Sequence, residues 1–194
     1  TRDELRHYAR TLQGRWVDDP TNEDDSFERA RMRKLLAVLD DEGLGIETLA
    51  ATADRMARAR DALRHRVAEA WQRLGGFERR GGHPTGNLVF DRSGFEALDR
   101  DTQMRLLAVG LQVLSRTPYR PRAEKLESLL DRLLGGGGGQ LSGCEAWCER
   151  DHLRLWREYA AVQALAAPMG ALWDGQWRVF DPDLRHDPQV EIRA

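Results

Sequence analysis

Through the first two thirds of the chain apolar residues recur at helical spacing, and only toward the end do they alternate with polar ones. Leu5, Tyr8, Ala9 and Leu12 follow a Thr1/Glu4 capping pattern and precede Gly14, which predicts a first helix with those four as its buried face. A second helix is expected to start from a cap at Asp24, Asp25 or Ser26 and end near Asp40, with Phe27, Leu35, Leu36, Val38 and Leu39 as its apolar positions. Gly43 and Gly45 punctuate the break after it. Over residues 46–74 the line Leu49, Ala53, Met56, Leu63, Val67, Ala70, Trp71 and Leu74 runs without Gly or Pro, predicting one long helix.

Beyond it Gly75, Gly76, Gly81, Gly82, Pro84 and Gly86 predict a loop, residues 88–90 a brief strand, and Ser93 the cap of a short helix. Helices are expected over about 101–115 and 121–134, joined by the turn Thr117, Pro118, Tyr119, Arg120, with Pro121 in a favourable first-turn position. After the five glycines at 135–139 the period changes, and residues 141–148, 152–158 and 177–180 read as strands. The expected fold class is therefore mainly α with a smaller β-rich C-terminal part (α+β), its helical middle containing one long helix, with a boundary near residue 135.

Composition narrows this picture. With 194 residues and 41% hydrophobic content the chain can bury one or two cores without disulfides or metal. A formal net charge of −2 argues against indiscriminate nucleic-acid binding, so any RNA site must be a local patch. No secretory or membrane-spanning stretch is legible, which leads to the expectation of a cytoplasmic protein whose two cysteines stay as thiols. The glycine run lacks the Lys-Ser or Lys-Thr of a phosphate loop and leads into a strand, so it reads as a helix cap and connection. Cys144, Cys148 and His152 lack a second ligand pair, and no metal is expected. Trp147, Trp156, Trp173 and Trp177 could stack on bases, although packing accounts for them more simply. His7, His65, His83 and His186 have no nucleophile pattern beside them.

Two arginine groupings carry the candidate chemistry. Residues 16–34 join a turn, in which Pro20 fixes the backbone and Asp19 and Asn22 shape its hydrogen bonding, to a helix bearing Arg29, Arg31, Arg33 and Lys34. Arg29 and Arg33 are four apart and share a face, as an anion site would require. Glu23, Asp24, Asp25 and Glu28 allow the same residues to be a solvated, balanced face. On the long helix Arg55, Arg58, Arg66 and Arg73 lie opposite much of the apolar line and could follow a phosphate backbone, with Asp61 and Glu69 on the same element.

The order W-x-D-D-P-T-N from Trp16, then F-x-R-x-R-x-R from Phe27, resembles the W-x-(D/E)-D-P-(S/T)-N…R-N-x-x-R signature of the tRNA(Ile)-lysidine synthetases. A long helical middle, the L-S-G-C at 141–144 and the R-E at Arg157 and Glu158 fit the family's order. Ala30 departs from it, standing where the family usually has Asn, and the family's upstream S-G-G-x-D-S nucleotide loop does not occur in these 194 residues. The resemblance implies that residues 1–40 end an ATP-pyrophosphatase-type catalytic domain, 41–134 form a helical linker and tRNA-recognition domain, and 135–194 are an incomplete β-rich part.

It further implies an ATP-dependent ligase that joins lysine to C2 of the wobble cytidine in the CAU anticodon of isoleucine tRNA. ATP and Mg would be held by the part upstream, and this chain alone is expected to be inactive. The resemblance casts Arg29 and Arg33 as supporting catalytic groups, Asp19 and Asn22 as turn-shaping, and Arg31, Lys34, Arg55, Arg58, Arg66 and Arg73 as tRNA-binding. The alternatives from the residues alone are a non-enzymatic helical protein-interaction module and a tRNA-binding paralogue.

Overall fold

The computed structural model describes residues 2–14, 26–178 and 191–193. Amphipathic periodicity sets the helices α1 (Arg2–Thr11), α2 (Glu28–Asp41) and α3 (Ile46–Leu74). Contacts divide the chain into two units, residues 1–60 and 61–194.

Among the described residues of the first unit the helices have apolar faces and form no buried cluster. Leu5 is 70% exposed, and Tyr8, Leu12, Phe27, Leu35, Val38, Leu49 and Met56 are exposed with it. The burial expected for the α1 face is not found, since Leu5, Tyr8 and Leu12 are all exposed. Periodicity states which side of a helix is apolar, and only a covering partner can bury that side. The exception in α2 is Ala30, which is buried, so the departure from the family's R-N falls at an enclosed position. The N-cap of α2 is Phe27, in extended conformation and without a side-chain hydrogen bond, rather than one of the acidic residues before it.

The second unit holds the hydrophobic core. Its strands are β1 (Gly75–Arg80), β2 (His83–Asp91), β3 (Gly138–Leu141), β4 (Cys144–Cys148) and β5 (His152–Arg157), and its helices α4 (Arg92–Glu96), α5 (Arg100–Ser115) and α6 (Ala123–Leu134). The strands make one antiparallel sheet in the order β1-β2-β5-β4-β3. Inward-facing Leu88, Phe90, Cys144, Ala146, Leu153 and Leu155 alternate along β2, β4 and β5 and join the leucines of α5 and α6 in one cluster. Val67, Ala70 and Leu74 from the end of α3 belong to the same cluster, and Trp71 meets Phe90 edge-on at 5.1 Å between ring centres. A short helix α7 (Tyr159–Val162) and a two-stranded pairing of β6 (Ala166–Pro168) with β7 (Glu191–Arg193) follow.

The overall class is mainly α with a smaller sheet, as expected, but several elements differ in detail. The glycine-rich stretch from residue 75 is a hairpin rather than a loop, because Gly81 and Gly82 both take left-handed backbone between β1 and β2. Its strands pair through β2 with β5, so residue 135 lies inside the second unit, between α6 and β3. The strand expected over 141–148 is broken by a turn at Ser142 and Gly143. Asp91, not Ser93, caps α4, accepting from Gly94 N at 2.6 Å. The glycine run is part cap and part strand, since Gly138 and Gly139 belong to β3. A Cβ at Gly138 would collide with the Trp147 ring and the Ala146 carbonyl, so this strand edge requires a residue without a side chain. Trp177 makes an isolated bridge with Trp173, while the rest of the strand expected at 177–180 lies largely outside the described residues.

Candidate functional site

On α2, Arg29 and Arg33 stand one turn apart and both are exposed. Arg31 instead turns back along the chain, its Nη1 donating to the Ser26 carbonyl at 3.2 Å, which satisfies a backbone acceptor ahead of the helix. Lys34 is also exposed. Asp19 and Asn22, the turn-shaping pair, lie outside the described residues.

The arginines of α3 have different surroundings. In the first unit Arg55 and Arg58 are exposed and make no ion pair among the described residues. In the second unit Arg73 is likewise exposed, but Arg66 is engaged: its Nη2 pairs with Asp99 at 2.8 Å and its Nε donates to Thr102 Oγ1 at 3.2 Å. Asp99 is the N-cap of α5, accepting from the backbone N–H of Thr102 at 2.9 Å and from its hydroxyl at 2.8 Å. Arg66 is thus tied to a helix cap in addition to any ligand it contacts.

The hydrogen bonds from Thr102, with the Arg66 charge beside them, hold the Asp99 carboxyl below its ordinary 3.8. Glu78 is lowered from 4.5 by the Thr85 and Asn87 side chains, and Asp91 from 3.8 by Gly94 N–H and the Ser93 hydroxyl. Groups lowered on folding add stability above their unfolded values and lose it as pH falls through the folded ones. The thermal midpoint is therefore expected to be level from neutral pH to about pH 5 and to fall below about pH 4, less steeply in Asp99→Asn. Melting curves across that range check this, and identical acid limbs in wild type and variant would contradict it.

The two C-terminal motifs, L-S-G-C and R-E, meet in space. Ser142 and Gly143 form the β3–β4 turn with left-handed φ of 56° and 68°. Arg157 Nη1 donates to the Gly143 carbonyl at 2.7 Å, while Nε and Nη2 donate to the two Asp174 oxygens at 2.8 and 3.0 Å. The backbone N–H of Glu158 donates to the same Gly143 carbonyl at 3.1 Å. The Asp174 carboxylate, with the Cys144 sulfur beside it, raises the Arg157 pKa, and burial pushes the Cys144 thiol up. This is a positional clamp: a fork-shaped cation pins a strained turn to the segment after β6.

On the opposite side of the sheet from the helices lie Trp147, Arg154 and Trp156. The Arg154 guanidinium pairs with Glu149 at 2.8 Å and Glu78 at 3.2 Å, so its charge is balanced on that face. Trp173 and Trp177 are elsewhere, with Trp173 Nε1 bonded to the Leu165 carbonyl at 3.2 Å. Cys144 is buried beneath the sheet, and no group of three or more His, Cys, Asp or Glu among the described residues is placed to hold a metal ion. No helix among the described residues is long and apolar enough to cross a membrane.

The α5–α6 turn, expected only as a connection, is strongly basic. Arg116, Arg120, Arg122 and Lys125 fall within ten residues there, with Glu124 as the sole acid. That local charge density was the available signal.

No family model matches the chain. A protein named tRNA(Ile)-lysidine synthase in Ruegeria pomeroyi is 34% identical over the whole chain and 44% of the relative's length. Proteins of the same name in Wolbachia pipientis and a Bradyrhizobium species are 26% identical over 91% of the chain and 36% over 62% of it, matching 41% and 35% of their own lengths. The chain spans less than half the length of these relatives. Over its whole length, then, this chain is related to the tRNA(Ile)-lysidine synthases, and it corresponds to less than half of such a protein.

Proposed function

We propose that the chain is part of an ATP-dependent ligase that joins lysine to C2 of the wobble cytidine in the CAU anticodon of isoleucine tRNA. The observation that carries this reading is the similarity, over the whole of this chain and less than half of the relative, to a protein named for that product. In the whole protein, ATP with Mg would transfer AMP to the cytidine C2 oxygen with release of pyrophosphate, and the neutral ε-amine of lysine would then displace that oxygen as AMP. The S-G-G-x-D-S loop does not occur in these 194 residues, so ATP would be held by another part of the protein.

The chain's own contribution is positioning. Exposed Arg29 and Arg33 on α2 face a developing anion or the anticodon-stem phosphates, with Asp19 and Asn22 shaping the turn before them. Arg31 and Lys34 add charge on the same helix, and Arg55, Arg58, Arg66 and Arg73 along α3 contact the tRNA backbone. The reaction is expected to take place in the cytoplasm, where its tRNA is found.

The test is to incubate the intact protein with isoleucine tRNA of CAU anticodon, ATP, Mg and radiolabelled lysine. Label is expected in that tRNA and not in one whose wobble cytidine is replaced by uridine. Label in neither would end the reading.

A further inference from the structure

The second unit contains a cleft of about 750 Å³ between the α5–α6 turn and the β3–β4 turn. Tyr119, Arg120, Arg122, Lys125, Ser142 and Arg157 line it, and among the described residues no carboxylate does. The Arg157 charge is taken up by Asp174. Arg120, Arg122 and Lys125 make no ion pair or side-chain hydrogen bond among the described residues. In a chain of net charge −2, three uncompensated cations around one concavity are a local departure that calls for an anion.

The loop carrying them is held in place. Pro118 and Pro121 fix two backbone angles, Gln112 Nε2 donates to the Pro118 carbonyl at 3.1 Å, and Tyr119 N–H donates to Thr117 Oγ1 at 3.3 Å. A preformed loop binds without the cost of ordering it. At its tip Tyr119 is 80% exposed, an aromatic ring that the core does not use. The adjoining hollow, of about 490 Å³, shares Lys125, Ser142 and Gly143 with the cleft but adds Glu124 and Glu158 beside Arg132, so its charge is balanced and the cationic excess lies on the Arg120 and Arg122 side.

We propose that this cleft binds the phosphate backbone of an unpaired stretch of RNA, with Tyr119 stacking on one of its bases. Cations alone would fit any polyanion; the exposed ring beside them favours nucleic acid, since every base offers a face to stack on. A duplex keeps its bases stacked on one another, which leaves the ring without a partner, so the strand is unpaired there. The proposal rests on the reading that the whole protein acts on tRNA, and it adds a contact surface separate from α2 and from the arginines of α3.

The test is anisotropy of labelled isoleucine tRNA bound by the intact protein between about 50 and 200 mM salt. Arg120→Ala/Arg122→Ala/Lys125→Ala is expected to weaken binding at least tenfold at low salt. It should also flatten the log–log salt slope by about 2, since each lost phosphate contact removes roughly 0.7. Tyr119→Ala is expected to weaken binding about 5- to 100-fold with an unchanged slope, and Tyr119→Phe to restore it. All three proteins should melt at the wild-type temperature, because these side chains are exposed.

A triple variant with wild-type affinity and slope overturns the cleft. If Arg55→Ala/Arg58→Ala flattens the slope in the same assay, the parent reading stands without it. Intact protein that binds no tRNA overturns both. Capture of polyglutamate that the triple variant abolishes, with tRNA binding untouched, would give the cleft to an acidic protein and overturn the RNA assignment.

Discussion

Arg157→Ala is expected to lower the free energy of unfolding by about 2–3 kcal/mol, measured by urea denaturation of the intact protein. Removing the guanidinium leaves the Asp174 carboxylate, which is only 9% exposed on its side chain, without its paired charge. It also takes a 2.7 Å hydrogen bond from the Gly143 carbonyl in a turn whose two residues both hold left-handed backbone. Breaking a fully buried pair costs about 3–5 kcal/mol, and the smaller figure reflects the water that still reaches Arg157. Arg157→Lys should recover little, because an ammonium cannot make the two parallel bonds to Asp174 and reach Gly143 together. The comparison is Arg154→Ala on the open face of the sheet, whose pairs with Glu149 and Glu78 are more exposed and should contribute no more than about 1 kcal/mol. Equal losses for the two variants would remove the clamp from the account.

Arg33→Ala in the intact enzyme is expected to slow single-turnover lysidine formation by about 10²–10³-fold at saturating ATP and lysine, the usual cost of losing a group that stabilises developing negative charge. Arg33 stands on the exposed side of α2 with Arg29 one turn before it, so Arg29→Ala should act in the same direction. The two roles proposed for the pair separate cleanly in the measurement. A group facing the reacting phosphate changes the rate and leaves the salt dependence of tRNA binding as it was. A group facing the anticodon stem weakens binding and flattens the salt slope by roughly 0.7–0.9 per contact. Wild-type rate together with wild-type affinity would exclude both.

Helices α2, α3, α5 and α6 were legible because each carries a sustained apolar line bounded by caps or glycines. The β1–β2 hairpin was not, since its glycines signal a turn without saying that the residues on either side will pair. The arginines of α2 and α3 could be picked out from spacing, whereas the engagement of Arg66 with Asp99 could not, because the partners are 33 residues apart. The basic turn before α6 was readable as charge, but its cleft depends on the β3–β4 turn, which arrives from another part of the chain.

Neighbouring residues and composition alone specify the helical periods, the α+β class, the resemblance carried by the Trp16–Asn22 and arginine motifs, and the weak net charge that confines any RNA contact to a patch. The tertiary structure decided everything that requires two distant segments to meet. It brought the L-S-G-C turn against Arg157 and joined strands from both sides of the glycine run into one sheet. Among the described residues it left Leu5, Tyr8 and Leu12 of α1 and Leu35 and Val38 of α2 exposed while burying the end of α3. The physical reason is that hydrogen-bond propensity and apolar period are properties of neighbouring residues, while burial and charge pairing are settled by whichever surfaces the folded chain brings together.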